Sequence, residues 1–302
     1  MINRIVFMGS PDFAVPALLQ LARIYPICGV VTQPDRPSGR GLTLTPPPVK
    51  VAALELGLPV IQPEKLRAAP DALQQLQDWA PDLIVVAAFG QILRANVLEL
   101  PRYGCVNIHA SLLPRHRGAA PIQAAILAGD AETGITIMKM EAGLDTGPIL
   151  SQQSIPISAQ DTDGSLFDRL SALGGQLLVE TLPGYLSGAI QPRPQVEEDM
   201  SYFGMIKKED GLLDFNLPAV VLERKVRAFS PWPGTYLPWN GGALKVQRAH
   251  VEAGNASPGQ RLIWDGLPAL GTVAGILVID ELQPAGKKPM PGKAFLQGGR
   301  DW

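Results

Sequence analysis

Asn107 and His109 are polar residues with catalytic potential, and they stand near the end of an apolar run that begins at Cys105. Alternate side chains of a strand share a face, so the amide and the imidazole point the same way, about 7 Å apart. An Asn can donate a hydrogen bond to a developing oxyanion, and a His can accept the proton of an attacking amine. The pair therefore suits acyl-type transfer, although the same spacing also fits a hydrogen-bonded Asn beside a buried structural His.

A carboxylate follows in a second polar segment, the glycine-rich loop from Met140 to Pro148 that contains Asp145. If this loop reaches the same edge of the sheet as His109, the carboxylate can orient the imidazole, raise its basicity or relay its proton. The other interpretation is an ordinary turn residue, because Asp is common in turns.

The long segment Pro34–Pro48 is a third candidate, because it is basic and we expect it to lack regular structure. Loops of about fifteen residues without secondary structure are uncommon inside a compact domain and are often functional. Arg36 and Arg40 lie in this loop and Lys50 lies just beyond it. These cations suit a phosphate-rich substrate, and the alternative is a surface loop without function.

Strand and helix patterns alternate through the first part of the chain, which predicts a mostly parallel sheet covered by helices on both sides. Open sheets of this kind bind ligands at the carboxyl ends of their strands, where Asn107 and His109 would lie. The predicted strands are Ile5–Met8, Ile27–Thr32, Asp82–Ala88, Tyr103–His109 and Ile135–Met140. The predicted helices are Phe13–Ile24, Val49–Leu56, Ala72–Trp79, Pro121–Ala128 and Leu166–Leu182.

The composition changes after the long helix, where a polar stretch with Pro192 and Pro194 is typical of a linker. One helix and several short β-rich runs follow it, which predicts a small β-barrel. These are Pro218–Phe229 for the helix, and Thr235–Leu237, Ala243–Ala249, Thr272–Val273 and Ile276–Ile279 for the strands, with a hairpin turn at Ala274-Gly275. We therefore expect a catalytic domain over residues 1–188, a linker over 189–206 and a second domain over 207–302.

Several classes of protein are excluded by what the sequence lacks. The first turn, Gly9-Ser10-Pro11-Asp12-Phe13, has no Gly-x-Gly-x-x-Gly spacing, and no Walker-type loop occurs, which argues against dehydrogenases and ATPases. The two Cys and three His assemble no zinc pattern. Since no apolar run approaches the roughly 20 residues of a membrane span and no signal peptide precedes the first strand, we expect a cytoplasmic protein.

Charge is unevenly distributed along the chain. The net formal charge is −2, yet residues 201–302 carry 12 Lys and Arg against nine Asp and Glu. A mildly basic second domain on an acidic first one is compatible with contact to a polyanion.

The run Asn107–Pro114, together with Asp145 in the segment Leu144–Gly147, resembles the active-site signature of the formyltransferases that use 10-formyltetrahydrofolate. This resemblance implies that Asn107, His109 and Asp145 form the catalytic trio, and that no metal takes part. It also implies a folate pocket formed by three short segments. Its residues are Ser111, Leu112, Leu113, Pro114, Ala88, Phe89, Gly90, Gln91, Ile92, Leu93, Gly143 and Leu144.

Further segments are similar to the branch of this family whose acceptor is the amine of methionyl initiator tRNA. They are Gly9–Ala14, Thr32–Pro37, Gly39–Gly41, Gly118–Gln123, Phe229–Gly234 and Leu282–Lys288. The resemblance spans nearly the whole chain and implies a Rossmann-like domain joined to an oligonucleotide-binding-type barrel. Since the sequence shows no exposed apolar stripe that indicates a partner subunit, we expect a monomer. The basic residues that we predict to contact the tRNA are Arg36, Arg40, Lys50, Lys207, Lys208, Lys245, Arg248, Lys287 and Lys288.

Three other functions remain open on the sequence alone. A glycinamide ribonucleotide formyltransferase would share the trio but needs no second domain. A sugar-amine formyltransferase shares the barrel-type tail but not the Pro-Asp-Arg-Pro and Gly-Arg-Gly segments. A non-catalytic RNA-binding protein with a degenerate formyltransferase domain is the third, and the intact Asn107, His109 and Asp145 argue against it.

Overall fold

The chain forms two compact units in a computed structural model that describes residues 4–38, 43–298 and 302. The first unit extends through Pro121 and includes Glu132–Pro156 and Phe167–Phe203. The second unit comprises Ile122–Ala131, Ile157–Leu166 and the chain from Gly204 onward.

Eleven strands belong to the described part of the first unit. They are β1 (Ile5–Gly9), β2 (Ile27–Val31), β3 (Arg36–Ser38), β4 (Thr43–Thr45), β5 (Val60–Ile61), β6 (Leu83–Ala87), β7 (Cys105–His109), β8 (Arg117–Gly118), β9 (Glu132–Lys139), β10 (Ile149–Pro156) and β11 (Tyr202–Phe203). The α-helices of both units are α1 (Val15–Ala22), α2 (Pro48–Glu55), α3 (Pro70–Trp79), α4 (Ala95–Leu98), α5 (Pro121–Ala128), α6 (Asp163–Leu186), α7 (Ala219–Ala228) and α8 (Gly292–Gly298).

Seven of these strands form one sheet in the order β10-β9-β7-β6-β1-β2-β5. The five from β7 to β5 run parallel, and β9 and β10 are antiparallel, which confirms the predicted mostly parallel sheet. All five residues of β6 are buried, as expected for a central strand covered on both faces. The chain first adds β2 and β5 on one side of β1 and then β6 on the other, so the topological switch point lies between β1 and β6.

Helix α6 packs closely on the sheet through two glycines. A Cβ on Gly174 would lie 2.8 Å from Cγ2 of Ile108 in β7, and a Cβ on Gly175 would lie 3.1 Å from the main-chain nitrogen of Ala17 in α1. Cβ atoms essentially never approach a neighbour as closely as 2.8 Å, and 3.1 Å is tighter than most Cβ contacts, so the Gly pair allows the helix to reach both β7 and α1. This contact fixes the face of β7 that carries Ile108, and it leaves Asn107 and His109 on the opposite face.

The second unit is built on a six-stranded antiparallel sheet, in agreement with the predicted β-rich carboxy-terminal domain. Its strands are β12 (Thr235–Trp239), β13 (Gly242–Glu252), β14 (Arg261–Trp264), β15 (Leu267–Gly271), β16 (Ile276–Gln283) and β17 (Met290–Pro291), in the order β12-β13-β16-β15-β14 with β17 paired to β16. Register irregularities between Val246 and Ala249 interrupt the long strand β13, and such bulges bend a strand. The core of this unit combines Leu222 and Val226 of α7 with Leu244 and Leu282 of the sheet.

Several details differ from the sequence predictions; strands β5, β10, β14 and β15 and helix α4, for example, were not predicted. The segment Pro34–Pro48 is not wholly irregular, because β3 and β4 form a short hairpin in which Arg36 lies opposite Thr45. The β-branched threonines of β4 favour an extended backbone. Thr272–Val273 is a turn and not a strand, since the Thr272 hydroxyl bonds the carbonyls of Ala274 and Gly275. The short helix α8 near the end of the chain was not predicted.

Candidate active site

Asn107 and His109 lie on the same side of β7, as the strand periodicity predicted. The intervening Ile108 faces α6. Asn107 is half-buried, and His109 is only 5% exposed at the carboxyl end of the strand. The side-chain amide of Asn107 forms no hydrogen bond with any part of the chain that the structure describes, so both amide hydrogens are available to a ligand.

A main-chain carbonyl holds the imidazole of His109. Its Nε2 lies 3.0 Å from the carbonyl oxygen of His116, which can only accept, so Nε2 carries the proton of the neutral ring. Nδ1 is then the basic nitrogen, and it lies 3.7 Å from Oδ1 of Asp145. That distance exceeds a direct hydrogen bond. His116, not Asp145, therefore makes the hydrogen bond that orients the ring, and Asp145 faces the nitrogen that can take up a proton.

The pKa of His109 is lower than that of an ordinary histidine. Burial of the ring is the main cause, and the negative charge of Asp145 and the hydrogen bond with the carbonyl of His116 oppose it in part. Because an unperturbed histidine titrates near about 6.5, His109 is neutral at pH 7 and can act as a proton acceptor.

We expect histidine NMR to detect this depressed pKa directly. The imidazole signals of His109, assigned by their loss in His109→Gln, should titrate below the usual histidine range. Asp145→Asn should lower the pKa of His109 further, because it removes the carboxylate that favours the charged ring. A rise of that pKa in Asp145→Asn would show that the two side chains are not electrostatically coupled as the geometry implies.

Asp145 is held in an uncommon backbone conformation by three hydrogen bonds. Its φ is +56°, a left-handed value that a non-glycine residue adopts at some cost. Its Oδ2 accepts a hydrogen bond from the main-chain N–H of Gly118 at 2.9 Å. The side-chain amide of Gln195 donates to the carbonyls of Asp145 at 2.8 Å and Gly147 at 2.7 Å. Gln195 thus fixes the backbone of the loop that carries the carboxylate.

Ser111–Pro114 forms a turn that is packed against β9 and β10. The Ser111 hydroxyl donates to the carbonyl of Arg115 at 2.6 Å, and the Thr136 hydroxyl donates to the carbonyl of Ser111 at 2.6 Å. Leu113 is buried in a small cluster with Met138 and Ile149. Within this turn only Leu112 and Pro114 are partly exposed. Ser111 and Leu113 are buried, so they can support the wall of the predicted pocket but cannot form its surface.

The predicted pocket segment Ala88–Leu93 begins directly after β6, at the topological switch point. Ala88 and Gly90 are exposed, and Ile92 is 83% exposed. Phe89 and Leu93 are buried in the core beneath them. The Gln91 side chain bonds the main chain of an earlier segment. It donates to the carbonyl of Pro63 and accepts from the N–H of Leu66.

Apolar side chains are also exposed on the loop of Asp145. Leu144 is 51% exposed, and its neighbour Gly143 is exposed as well. Exposed apolar groups next to polar catalytic candidates are typical of a site for an organic ligand.

The predicted phosphate-contacting residues have different surroundings. Lys50 is already paired, because its Nζ lies 2.7 Å from Oδ2 of Asp35, whose carboxylate also accepts from Gln62. Arg36 is exposed on β3, and Arg40 lies outside the described residues. The six predicted cations of the second unit are all exposed: Lys207, Lys208, Lys245, Arg248, Lys287 and Lys288.

In the described ranges, 4–38, 43–298 and 302, no helix is long and apolar enough to cross a lipid bilayer. In the same ranges, no group of three or more His, Cys, Asp or Glu side chains is arranged to hold a metal ion.

Sequence reasoning missed four residues that hold His109 and Asp145 in place, namely His116, Arg117, Gln195 and Ser201. Two of them belong to the run Arg115–Gly118, a few residues after the end of β7. The other two lie in the polar stretch interpreted as a linker. No local pattern marks Gln195, because its contact with Asp145 joins positions 50 residues apart.

Fold and site define a formyl transferase. The family described as formyl transferase matches residues 3–182, and its C-terminal domain family matches residues 205–300. A protein of Myxococcus xanthus named methionyl-tRNA formyltransferase is 51% identical over 98% of this chain and 95% of its own length. One of Chloroflexus aggregans with the same name is 49% identical over 98% of this chain and 97% of its own length. The chain therefore belongs to the family of the methionyl-tRNA formyltransferases, which are enzymes.

A solved structure has the same fold at much lower identity. WlaRD, a sugar 3N-formyl transferase determined in the presence of dTDP and 5-N-formyl-THF, superposes with a TM-score of 0.67 at 19% identity. The alignment covers 95% of this chain and all of WlaRD. At this identity the likeness establishes the shared fold and not a shared acceptor.

Proposed function

We propose that the chain transfers the formyl group of 10-formyltetrahydrofolate to the α-amino group of methionyl initiator tRNA, giving N-formylmethionyl-tRNA. Family membership over nearly the full length supports the reaction. The observation that carries it is the grouping of an unpartnered Asn107 amide, a neutral His109 and the Asp145 carboxylate at one sheet edge. A donor, an acceptor and a negative charge together meet the needs of acyl transfer to an amine.

The reaction begins when the neutral amine of the acceptor attacks the formyl carbon. Free α-amines titrate near about 8, so a useful fraction is neutral at physiological pH. The new carbon–nitrogen bond gives a tetrahedral intermediate whose oxygen is negatively charged. Asn107 donates a hydrogen bond to that oxygen, because its amide is free of other partners in the described chain and the residue itself is only half-buried on β7.

His109 accepts the proton that the attacking amine loses. Its Nδ1 is the basic nitrogen, and protonation there places the positive charge opposite Asp145 at 3.7 Å. Cleavage of the bond between the formyl carbon and N10 then releases tetrahydrofolate, after the proton passes from His109 to N10. No covalent enzyme intermediate is needed, since the amine is itself the nucleophile.

The donor binds at the switch point and the loop of Asp145. Ala88, Gly90, Ile92 and Leu144 offer exposed surface there, and the buried members of the predicted pocket hold that surface in shape. WlaRD has the same fold, and its structure was determined in the presence of 5-N-formyl-THF, which supports a folate donor for this fold.

The tRNA backbone is contacted by Arg36 and Arg40 of the basic segment Pro34–Pro48 and by the exposed cations of residues 207–302. Lys50 contributes less than these residues, because its charge is already neutralised by Asp35.

Arg36→Ala should raise KM for methionyl initiator tRNA and leave KM for the folate donor unchanged. Each lost phosphate contact reduces the slope of log affinity against log salt by about 0.7 to 0.9. The measurement is KM for tRNA over a series of salt concentrations. Arg23→Ala is the matched control, because Arg23 is an exposed arginine of the same unit outside the hairpin. If the slope of log affinity against log salt were the same for both variants, Arg36 would not contact the tRNA.

The proposed function is tested by incubating the protein with 10-formyltetrahydrofolate and charged initiator methionyl-tRNA, with charged elongator methionyl-tRNA in parallel. Rapid formation of formylmethionyl-tRNA from the initiator alone is the expected result. If the folate were consumed only when small-molecule amines are supplied, the acceptor would be a small molecule and not a tRNA. No consumption of folate with any amine would contradict formyl transfer.

A further inference from the structure

We infer that residues 193–203, the connecting segment between α6 and the second unit, position His109 and Asp145 for catalysis. This inference rests on the proposed roles of those two residues. Polarity and prolines favoured a simple linker for this stretch. Its contacts within the first unit assign it a different task.

The connecting segment is attached to the catalytic unit at both ends. Arg193 exchanges two main-chain hydrogen bonds with Ile149 at the start of β10, each 2.8 Å long. At the other end β11 pairs in parallel with β8, so that Tyr202 lies beside Arg117 and Phe203 beside Gly118. Gly118 has φ +111°, and a Cβ there would collide with the carbonyl of Phe203. The absence of a side chain at Gly118 is therefore what permits this close approach.

Gln195 is the first contact between the connecting segment and a catalytic residue. Its amide nitrogen donates to the carbonyls of both Asp145 and Gly147, and thereby holds the loop at the point where φ of Asp145 is left-handed. Its amide oxygen accepts from Nε and Nη2 of Arg117 at 3.0 and 2.8 Å. Both ends of this amide are occupied, so its orientation is fixed.

Arg117 in turn is held by the connecting segment through Glu197. The arginine is 4% exposed, and its guanidinium donates to both carboxylate oxygens of Glu197 at 2.8 and 3.2 Å. The two-point contact with Glu197 and the bonds to Gln195 give this buried charge a fixed geometry. Displacement of the connecting segment would leave the buried guanidinium of Arg117 without these partners, which would cost free energy.

Ser201 is the second contact, and it acts on His109 through His116. The Ser201 hydroxyl accepts from the main-chain N–H of His116 at 2.8 Å, and the carbonyl of Ser201 accepts from the N–H of Arg117 at 2.9 Å. The carbonyl of His116 accepts from Nε2 of His109. The connecting segment therefore fixes the peptide that sets the tautomer of the catalytic ring, as well as the loop of Asp145.

These contacts give the connecting segment a role in turnover and not only in joining domains. A displacement of about 1 Å at a reacting group can cost roughly 100-fold in rate. Since the carboxy-terminal part of the second unit begins at Gly204, a change in the path of the chain there would act directly on the connecting segment.

The decisive comparison is Gln195→Met against Gln191→Met. Met keeps the length of the side chain but removes the amide, and Gln191 is an exposed glutamine of the same stretch whose amide bonds the carbonyl of Gly188. We expect Gln195→Met to lower kcat roughly 10- to 100-fold with little change in either KM. Gln191→Met should match the wild type. An equal kcat for the two variants, or a loss confined to KM for the acceptor, would overturn the inference.

A double-mutant cycle tests whether Gln195 acts through Asp145. In an Asp145→Asn background, Gln195→Met should cost little more, because the carboxylate that it positions is already absent. Independent, multiplicative losses would show a separate structural effect and overturn the inference. If Gln195→Met does not fold, Ser201→Ala replaces it, with a smaller loss of kcat expected; unchanged kcat in that variant would count against the inference.

The pKa of His109 provides a readout that does not depend on the acceptor. Displacement of Asp145 in Gln195→Met should lower that pKa relative to the wild type, whereas a mere loss of stability would leave it unchanged in the folded protein. Failure of the wild type to formylate tRNA would contradict the proposed function alone. An unaltered pKa of His109 in a folded Gln195→Met protein would contradict the role of the connecting segment alone.

Discussion

His109→Gln should lower kcat by roughly 10²- to 10⁴-fold, the range expected when a general base is removed. Glutamine can still donate to the carbonyl of His116, which now accepts from Nε2 of the ring at 3.0 Å. It cannot take up a proton at pH 7, and it therefore removes the proton acceptor while the buried hydrogen bond is retained. The measurement is single-turnover formylation at saturating donor and acceptor.

The control for this substitution is His250→Gln in the second unit. His250 is part-exposed and pairs with Asp280 at 3.0 Å, outside β7. We expect the kcat of the His250→Gln variant to stay close to that of the wild type. Thermal unfolding of both variants would show whether a loss of activity reflects a loss of folded protein. Near-normal turnover in a folded His109→Gln protein would mean that another group accepts the proton of the amine.

The part of the site that could be predicted from sequence depends on short-range regularities. The period of two along a strand placed Asn107 and His109 on one face without knowledge of the fold. The buried strand Leu83–Ala87 was recognisable because both of its faces are apolar. Because β6 and β7 are parallel neighbours, the active site is expected at their carboxyl ends. Asn107 and His109 lie on β7 near that end in the structure.

The parts that could not be predicted depend on contacts between distant positions. Gly174 and Gly175 are unfavourable in the interior of an isolated helix, yet they are the positions at which α6 reaches Ile108 and α1. Propensity describes the isolated helix, whereas close packing against other elements decides the role of these glycines. Gln195 likewise carries no signal of its own, because its importance arises from the loop of Asp145 that it meets in space.

The role of Asp145 is less predictable from the sequence than that of His109. A carboxylate in a glycine-rich loop is compatible with any ordinary turn. Its left-handed backbone and the hydrogen bonds from Gly118 and Gln195 become apparent only in three dimensions. A residue held in that conformation by several partners, beside a buried His, is the pattern expected of a functional site.

Asn107→Ala should lower kcat and kcat/KM together by about 10²- to 10³-fold, the usual cost of losing one oxyanion donor. The interaction exists only once the carbonyl oxygen becomes charged, so substrate binding should be nearly unaffected. Asn96→Ala is the control, because Asn96 is an exposed asparagine of the short helix α4, and this variant should be active.

Asn107→Asp distinguishes an oxyanion donor from a residue that only fills space. Aspartate has the shape of asparagine but is an acceptor when ionised, and it would place a negative charge beside the developing oxyanion. If Asn107 stabilises that charge, the Asp variant should be no more active than the Ala variant, although it fills the site better. If the Asp variant were clearly the more active of the two, shape would matter more than donation, and the tetrahedral intermediate would need another donor. Because the Asn107 amide has no partner in the described chain, neither substitution breaks an internal hydrogen bond there, and the comparison reports on the reaction itself.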